Sequence, residues 1–415
     1  MHSYRLIVRG LLAATLLLGL WGGAANAANR DLNAQTDCGA VGNGVANDTA
    51  ALQSCINTSA TTKQAIYLPV GHYRITATLN ISASNTTIYG TDSANTIIVQ
   101  DTSSAYIFHV VNGSAPVDRL TFRRLNLYYS VDHPTGIAVV CENCWRTFFQ
   151  QVNFGSAAAG AYLSSGLWVT GGNQVYVEDS TITNDTSQGM YFTDVGDVFL
   201  SNVEVNQLDH DTGSTGIIFD SGVGGIYATN VNVTAGETAF LFENTKGTVP
   251  PNFGFFTNCL ADTTNGFGWF FQSATSMRLT NSWAATATDT GIIVFNVNGL
   301  SITDSRIYNN GGYGILLNAG AQNVTIKDST ITGNSRLASG TKPGIYVTGG
   351  IGNFQILNNK IGPADGFSNL QSYAVVVAAG ASDYYMITGN DTHGNVTGGV
   401  SDGGTGTHKL TSPNL

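Results

Sequence analysis

The sequence predicts an all-β protein, and specifically a right-handed parallel β-helix, a solenoid with a short N-terminal capping helix. Composition and a recurring strand pattern lead to this prediction. Of 415 residues, 50 are glycine, 42% are apolar and only 11% are charged. A disordered chain and a helical solenoid both carry far more charge than this, so both classes are excluded.

A short pattern of alternating apolar residues, followed by a polar bend and a second apolar stretch, recurs along the chain. Its clearest copy is Val324–Ile331, in which Asp328 marks the bend. The bend positions of the eleven copies are Arg124, Gln151, Asp179, Asn202, Asn230, Asn258, Asn281, Asp304, Asp328, Asn358 and Gly389. Their intervals run from 23 to 31 residues, which indicates a unit of about 23 residues that is lengthened by loops.

The apolar columns of the repeat support this register. The position two residues before the bend is apolar in all eleven copies, and the position three residues after it is apolar in ten. A further strand, such as Gly216–Phe219, lies between successive bends. Three short strands in each repeat predict one coil of a parallel β-helix. We expect Asn or Asp at the bend to bond the backbone and its stacked neighbour.

The N-terminus is predicted to be a signal peptide. Arg5 and Arg9 precede the apolar run Leu11–Trp21, and Ala25–Ala27 is a small-x-small cleavage site. We therefore predict export, either secreted or periplasmic, with a membrane anchor as the alternative for this segment. Removal of residues 1–27 changes the net charge from −10 to −12. An acidic exported protein is not expected to bind nucleic acid or, after cleavage, a membrane.

Five cysteines suit an exported protein but are too few for a disulfide scaffold. Cys38 and Cys55 flank one short segment and can bridge it. Cys141 and Cys144 form a lone CxxC that fits either a local disulfide or two free thiols, and Cys259 is left over. No second ligand pair stands at zinc spacing, so no metal site is predicted.

The segment DCGAVGNGVANDTAALQ at 37–53 resembles the opening motif of the pectate lyase superfamily, D-[FY]-G-A-x-G-D-G-x-x-D-D-T-x-A-[IL]-Q. IYLPVGHYRI at 66–75 is similar to the continuation of that motif. The resemblance implies a β-helix of the kind found in pectate lyases of the pectate lyase 3 type, family 28 glycoside hydrolases, epimerase-like proteins and phage tailspikes. The family 28 signatures N-T-D, D-D, G-H-G and R-I-K do not stand at matching strand positions, so the resemblance assigns no catalytic residue.

The predicted organisation follows from the motif and the repeats. Residues 28–115 form the N-terminal cap and the first coils, and residues 116–415 form the remaining coils and a C-terminal cap. Within the cap, Asp48 or Asn47 is expected to begin a short helix, Thr49–Ile56, that covers the first coil.

Acidic residues follow three consecutive strands of the same kind, which indicates a candidate active site. Asp194, Asp220 and Glu243 each stand just past a Gly-apolar strand, and we expect them to stack in one column. Like charges on adjacent strands are unfavourable, and paired carboxylates are the machinery of glycosidases. Solvated strand ends are the alternative. Asp194 with Asp220 suits a retaining spacing, and Asp194 with Glu243 suits an inverting one.

A nearby loop, residues 208–212, is dense in ionisable groups. His210 is a candidate proton shuttle, and Asp209 and Asp211 are candidate substrate or calcium ligands, although a solvated turn explains the loop equally well. A uronate lyase requires instead a base and a cation. Candidates for these roles are Lys246, Arg278, Tyr191 and His210. Calcium is expected only for a lyase, and no cofactor is required otherwise.

Aromatic residues recur across the middle coils, and exposed rings there can stack on sugars. Trp269 is the aromatic candidate for substrate binding, with core packing as the alternative. The sequence thus predicts an exported protein that binds a polysaccharide and hydrolyses it with paired carboxylates. The alternatives are a uronate lyase and a non-catalytic glycan-binding or structural β-helix.

Overall fold

The computed structural model describes residues 30–132, 134–155, 162–183, 185–207 and 213–415. Over these ranges the chain winds into coils whose strands pair in parallel with the coils before and after. The fold is therefore the predicted parallel β-helix. No helix in the described ranges is both long and apolar enough to cross a membrane.

Short strands build the N-terminal coils, and longer ones continue around the corners of the middle coils. The N-terminal strands are Leu32–Asn33, Asn43–Asn47, Ile66–Leu68, Gly71–Ile75, Leu79–Ile81, Thr87–Gly90, Thr96–Gln100, Phe108–Val110, Val117–Asp118 and Thr121–Tyr129. The next strands are Ile137–Phe154, Leu163–Thr183, Asp185–Val195, Asp197–Gln207, Thr215–Phe219, Gly225–Ala235, Thr238–Phe242, Asn252–Thr257, Leu260–Asp262, Phe267–Phe271 and Ala274–Thr280. The remaining strands are Trp283–Ala285, Ile292–Val294, Val297–Thr303, Arg306–Tyr308, Ile315–Leu317, Gln322–Lys327, Thr330–Thr332, Ile345–Val347, Phe354–Leu357, Lys360–Ile361, Tyr373–Gly380, Tyr385–Thr388, Gly398–Gly404 and Lys409–Leu410.

Each coil contributes to three faces. The first face contains the Gly-apolar strands, such as Thr215–Phe219 and Thr238–Phe242, which pair with each other. The second face contains the strands that lead to the polar bend, such as Asn252–Thr257, and the third contains the strands that follow it, such as Leu260–Asp262. Inward side chains of all three faces form one continuous apolar core.

The polar bends have a backbone conformation that explains their composition. All eleven predicted bend residues have positive φ, from 47° at Asp179 to 55° at Asn358 and 71° at Gly389. Asn, Asp and Gly tolerate this left-handed conformation better than other residues do. The apolar columns on either side are buried, for example Ile326 two residues before Asp328 and Ile331 three residues after it.

The amides at the bends also bond from coil to coil. Asn202 Nδ2 donates to Asp179 Oδ1 at 2.9 Å, and Asn230 Nδ2 donates to Asn202 Oδ1 at 3.0 Å. The series continues through Asn258 at 3.2 Å and Asn281 at 2.7 Å. The predicted stacking at the corner is therefore present as an exposed ladder of side-chain hydrogen bonds.

The capping helix is longer than predicted. It spans Thr49–Thr62 rather than Thr49–Ile56, and it ends at Lys63, whose φ is 62°. Leu52 and Ile56 are buried in the core at the N-terminal end, as a cap requires.

The two predicted capping residues, Asn47 and Asp48, have different roles at the start of the helix. Asn47 Oδ1 accepts the backbone N–H of Thr49 at 3.1 Å. Asp48 makes no side-chain cap and instead accepts the N–H groups of Val41 and Gly42 at 2.7 and 3.0 Å. Asp48 therefore fastens the motif loop to the helix.

Both cysteine pairs that the sequence left open are bonded. Disulfides join Cys38 to Cys55 and Cys141 to Cys144, with Cα–Cα distances of 5.5 and 5.8 Å. The first attaches the capping helix to the segment that precedes it. Cys259 is buried and forms no disulfide, and burial raises the pKa of its thiol.

Candidate active site

Asp220 follows the first-face strand Thr215–Phe219 and lies at the centre of the candidate site. Its Oδ1 accepts the backbone N–H groups of Ser221 and Thr245 at 2.6 and 2.7 Å. Its Oδ2 accepts the hydroxyls of Thr245 and Tyr191 at 2.6 and 2.8 Å. Asp220 is 0% exposed, so these donors replace its hydration completely.

These hydrogen bonds determine the charge of Asp220. Burial alone raises the pKa of the carboxyl, but the bonds from Thr245, Ser221 and Tyr191 outweigh it and hold the pKa at about 2. Asp220 is therefore a fixed anion at neutral pH. Because protein donors occupy both of its oxygens, it has no free position for a substrate proton.

The neighbouring Ser221 helps to position the loop that follows Glu243. Its hydroxyl oxygen accepts the backbone N–H groups of Lys246 and Gly247 at 3.0 and 2.9 Å. The same hydroxyl lies 2.7 Å from Asn244 Oδ1. Asp220 and Ser221 together therefore attach residues 244–247 to the preceding coil.

Glu243 occupies the position of Asp220 in the next coil. Phe219 pairs with Phe242, and the Glu243 N–H donates to Phe219 O at 3.0 Å. Its side chain is half-buried. Burial raises the pKa of Glu243, the Asp220 charge raises it further, and Lys246 opposes both. A carboxyl of raised pKa beside a fixed anion is suited to donate a proton.

Asp194 lies one coil before Asp220 but not in its column. Phe192 pairs with Phe219, so Thr193 continues the register toward Asp220. The Asp194 N–H instead donates to Ser221 O at 2.8 Å. The expectation of three acids in one column is therefore corrected to two, because Asp194 is two residues past Phe192, whereas Asp220 and Glu243 are one residue past Phe219 and Phe242, the partners of Phe192 in the next coils.

The backbone at Asp194 points its carboxylate toward solvent. Asp194 is exposed, and its φ is 54°. A Cβ at Gly222 would lie 2.2 Å from Asp194 Oδ1, so only glycine allows this close approach. Asp194 and Glu243 stand two coil spacings apart along the axis, or roughly 10 Å, with Asp220 between them.

Tyr191 and Lys246 are both close to the carboxylates, as the sequence suggested. Tyr191 is 7% exposed and donates its hydroxyl to Asp220. Burial and the Asp220 charge raise the pKa of the Tyr191 phenol. Tyr191 is therefore held as a neutral donor, and Lys246 is an exposed cation beside Glu243.

Trp269 and Arg278 lie elsewhere. Trp269 points into the core, is 0% exposed and stacks on Phe240 with ring centroids 3.9 Å apart. A ring in this position does not reach a sugar, so its predicted role in substrate binding is corrected to core packing. Arg278 lies on the second face, with its guanidinium 5.7 Å from the ring centroid of Phe255.

The aromatic column next to Arg278 was not foreseen from the sequence. Its neighbouring rings stack at centroid distances of 4.5 to 5.6 Å and at angles of 6 to 11°. Since the ring faces cover one another, the column presents ring edges to solvent and is poorly shaped for sugar stacking. Its members are Phe148, Tyr176, Phe199, Tyr227 and Phe255.

Three predicted site residues, Asp209, His210 and Asp211, lie outside the described residues. In the described part of the chain, no three His, Cys, Asp or Glu side chains converge to hold a metal ion.

An ionisable pair on the first face was missed from the sequence. His109 Nε2 lies 2.8 Å from Glu142 Oε1, on adjacent coils. Glu142 follows Val139–Cys141 just as Asp220 follows Ile217–Phe219, so the same rule of an acid after the strand identifies it.

Two family profiles match overlapping parts of the chain. One, described as a right handed beta helix region, matches residues 165–361. The other, described as rhamnogalacturonase A/epimerase, pectate lyase-like, matches residues 32–199. No protein of curated function matches the chain in sequence.

Solved structures resemble the chain over most of its length. The mannuronan C-5 epimerase AlgE4 A-module of Azotobacter vinelandii is 16% identical, with a TM-score of 0.57 over 92% of this chain and 100% of that module. The tailspike protein gp208 of Dettilon is 13% identical, with a TM-score of 0.61 over 84% of this chain and 69% of its own. The N-terminal fragment of gene product 12 of bacteriophage Phi29 is 12% identical, with a TM-score of 0.60 over 92% and 72%.

At these identities the structural likeness shows the fold. The profile matches include the N-terminal motif and continue through the repeats to residue 361. The profile matches and the observed coils therefore support a right-handed parallel β-helix of the pectate lyase-like kind.

Proposed function

We propose that the protein is an exported polysaccharide hydrolase in which Glu243 is the general acid and Asp194 is the general base. The observation that carries the proposal is the half-buried Glu243 beside the fixed Asp220 anion, with Asp194 exposed one coil beyond. Inverting glycosidases need an acid and a base separated by about 6.5–9.5 Å, so that a water molecule fits between base and sugar. Two coil spacings of roughly 10 Å between the backbones are compatible with this arrangement.

The proposed reaction is a single displacement. Glu243 donates its proton to the glycosidic oxygen as the bond from that oxygen to the anomeric carbon breaks. A water molecule attacks the anomeric carbon from the opposite face and transfers a proton to Asp194. The products are two sugar chains, and the anomeric configuration is inverted.

Asp220 serves this reaction without touching the reacting atoms. Its charge keeps Glu243 protonated to higher pH, and its hydrogen bonds position residues 244–247 beside Glu243. Asp220 is therefore a positioning residue, which differs from the catalytic role that the sequence suggested for it.

Similar proteins support a polysaccharide substrate. One profile that matches the chain is named after a rhamnogalacturonase and an epimerase, and one similar structure is a mannuronan epimerase. Export is supported by the N-terminal sequence and by two disulfides, which persist in oxidising compartments.

The test is to purify the protein without its first 27 residues and to incubate it with a panel of polysaccharides. Reducing ends report hydrolysis, and ultraviolet absorbance of unsaturated uronates reports a lyase. We expect Asp194→Asn and Glu243→Gln each to lower kcat by a factor on the order of 100 or more. Asp304→Asn, at an exposed bend where other coils carry Asn, is the matched control and should retain full activity.

Three results would contradict the proposal. Full activity in both Asp194→Asn and Glu243→Gln would show that neither residue takes part in the reaction. Unsaturated products identify the lyase alternative. Retention of a glycan without any change in its length, over long incubation, identifies a binding protein.

A further inference from the structure

The first face carries acidic side chains and no basic ones in the coils around the candidate site. The segments concerned are 137–142, 166–170, 189–195, 216–221 and 239–244, all of them described. They contain neither Lys nor Arg. Their acidic residues are Glu142, Asp194, Asp220 and Glu243.

Two of these acids have a cationic or ionisable neighbour and two do not. Glu142 Oε1 lies 2.8 Å from His109 Nε2, and Lys246 lies near Glu243, whereas Asp194 and Asp220 have no cationic partner among the described residues. Asp220 receives its hydrogen bonds only from neutral donors, on Tyr191, Ser221 and Thr245. Within the described residues, no salt bridge reaches Asp194, Asp220 or Glu243. The face therefore has a negative potential along the path that a bound chain would follow.

The pKa of Glu243 indicates how a second negative charge is disfavoured at this position. Burial and the Asp220 charge both raise the pKa of Glu243, despite the cation of Lys246 nearby. A substrate carboxylate held beside Glu243 meets the same desolvation and the same repulsion. At a separation of about 10 Å near a protein surface, one such repulsion weakens binding on the order of tenfold.

The indole Nε1 of Trp168 and the Oε1 of Gln188 are buried without a hydrogen-bond partner. Trp168 pairs with Tyr191, and Gln188 lies three residues before Tyr191 in the same coil.

We propose that the substrate is an uncharged polysaccharide, without carboxylate or sulfate groups on the sugars that cross the first face. This inference rests on the proposed function for the location of the site. It goes beyond that function by excluding polyuronates. It is independent of the bond-breaking chemistry, because it concerns which chain binds.

The test uses native gels that contain pairs of polymers with the same backbone and different charge. Hydroxyethylcellulose is paired with carboxymethylcellulose, and fully methyl-esterified polygalacturonate is paired with the de-esterified polymer. Further neutral glycans, each with an anionic derivative, complete the panel. Retardation of the protein measures binding without requiring cleavage, so a failure of the hydrolase proposal leaves this readout unaffected.

We expect retardation by uncharged members only, and no loss of that retardation when salt is added. Retardation by anionic members in preference to their uncharged partners overturns the inference, and so does the absence of retardation by every uncharged member.

Two variants separate the charge of the face from the charge of the whole protein. Glu142→Gln removes one negative charge from the first face and is not part of the proposed catalytic pair. It should increase retardation by the anionic polymers at low salt and leave the uncharged ones unchanged. Asp304→Asn removes one negative charge at a bend away from the first face. It should change retardation neither by the anionic nor by the uncharged polymers. An equal effect of both variants contradicts the inference.

Discussion

Asp220 illustrates how the surroundings of a single carboxylate decide what it can do. It is fully buried and ionised, and four short hydrogen bonds fix it in place. Glu243 has the equivalent position in the next coil but has no comparable donor among the described residues, so burial and the Asp220 charge raise its pKa. Two acids at equivalent positions thus differ because only one of them is supplied with N–H and O–H groups.

Asp220→Asn should destabilise the fold in a way that depends on pH. The pKa of Asp220 is about 2 in the folded state and about 3.9 in an unfolded chain, so ionised Asp220 stabilises the fold above pH 4 by about 2 kcal/mol. That contribution is lost as the pH falls from about 4 to 2. Chemical denaturation of wild type and variant across this range measures the difference. A difference that stays constant with pH would show that Asp220 is not an ionised acceptor.

The same substitution should shift the pH dependence of activity. Removing the Asp220 charge lowers the pKa of Glu243, which then loses its proton at lower pH. We expect the alkaline limb of the kcat profile of Asp220→Asn to move to lower pH, with the acidic limb nearly unchanged. An alkaline limb that does not move, in a variant shown to be folded, would remove Glu243 as the acid.

At the scale of the element, the bends could be predicted because each requires both a special backbone and a polar side chain. Asn230 has a φ of 55° and bonds Asn202 and Asn258 on either side. Because both the positive φ and the side-chain hydrogen bonds favour Asn or Asp, the bend positions are recognisable in the sequence. The end of the capping helix was not visible in the sequence, because residues 57–62 are, apart from Ala60, weak helix formers, and the helix nevertheless continues through them with Ser59 buried.

Asn230→Ala should lower the free energy of unfolding by about 2 kcal/mol, because alanine is strained at this φ and loses two hydrogen bonds. Asn230→Gly loses the same bonds without the strain, so it should cost less. Thermal and chemical denaturation of both variants check the order. Equal losses would mean that the backbone conformation at the bend contributes nothing measurable.

At the scale of the whole molecule, the repeat predicts the fold but not the active site. Stacked coils need only compatible columns, and those columns are visible along the chain. The site depends on offsets of one residue between coils. Asp194 lies against Ser221 and Gly222 rather than Asp220, because Thr193 takes the position in its coil that Asp220 takes in the next. The role of Asp220 depends on donors from Thr245, 25 residues later, which no local pattern indicates.

The same architecture explains why charge is scarce in the chain and matters where it occurs. Each side chain lies beside its counterparts in the coils before and after, so a second like charge is costly. Neutral Asn and Thr fill most polar positions. The acids of the first face depart from this rule, which is the reason to place the chemistry there.

The most direct test of the central claim is the configuration of the first sugar product, followed by proton NMR during cleavage of a neutral polysaccharide. Proton donation by Glu243 and activation of water by Asp194 predict that the newly formed reducing end appears first with inverted anomeric configuration. A product with retained configuration, or one that carries an unsaturated ring, would contradict the assignment of these two residues.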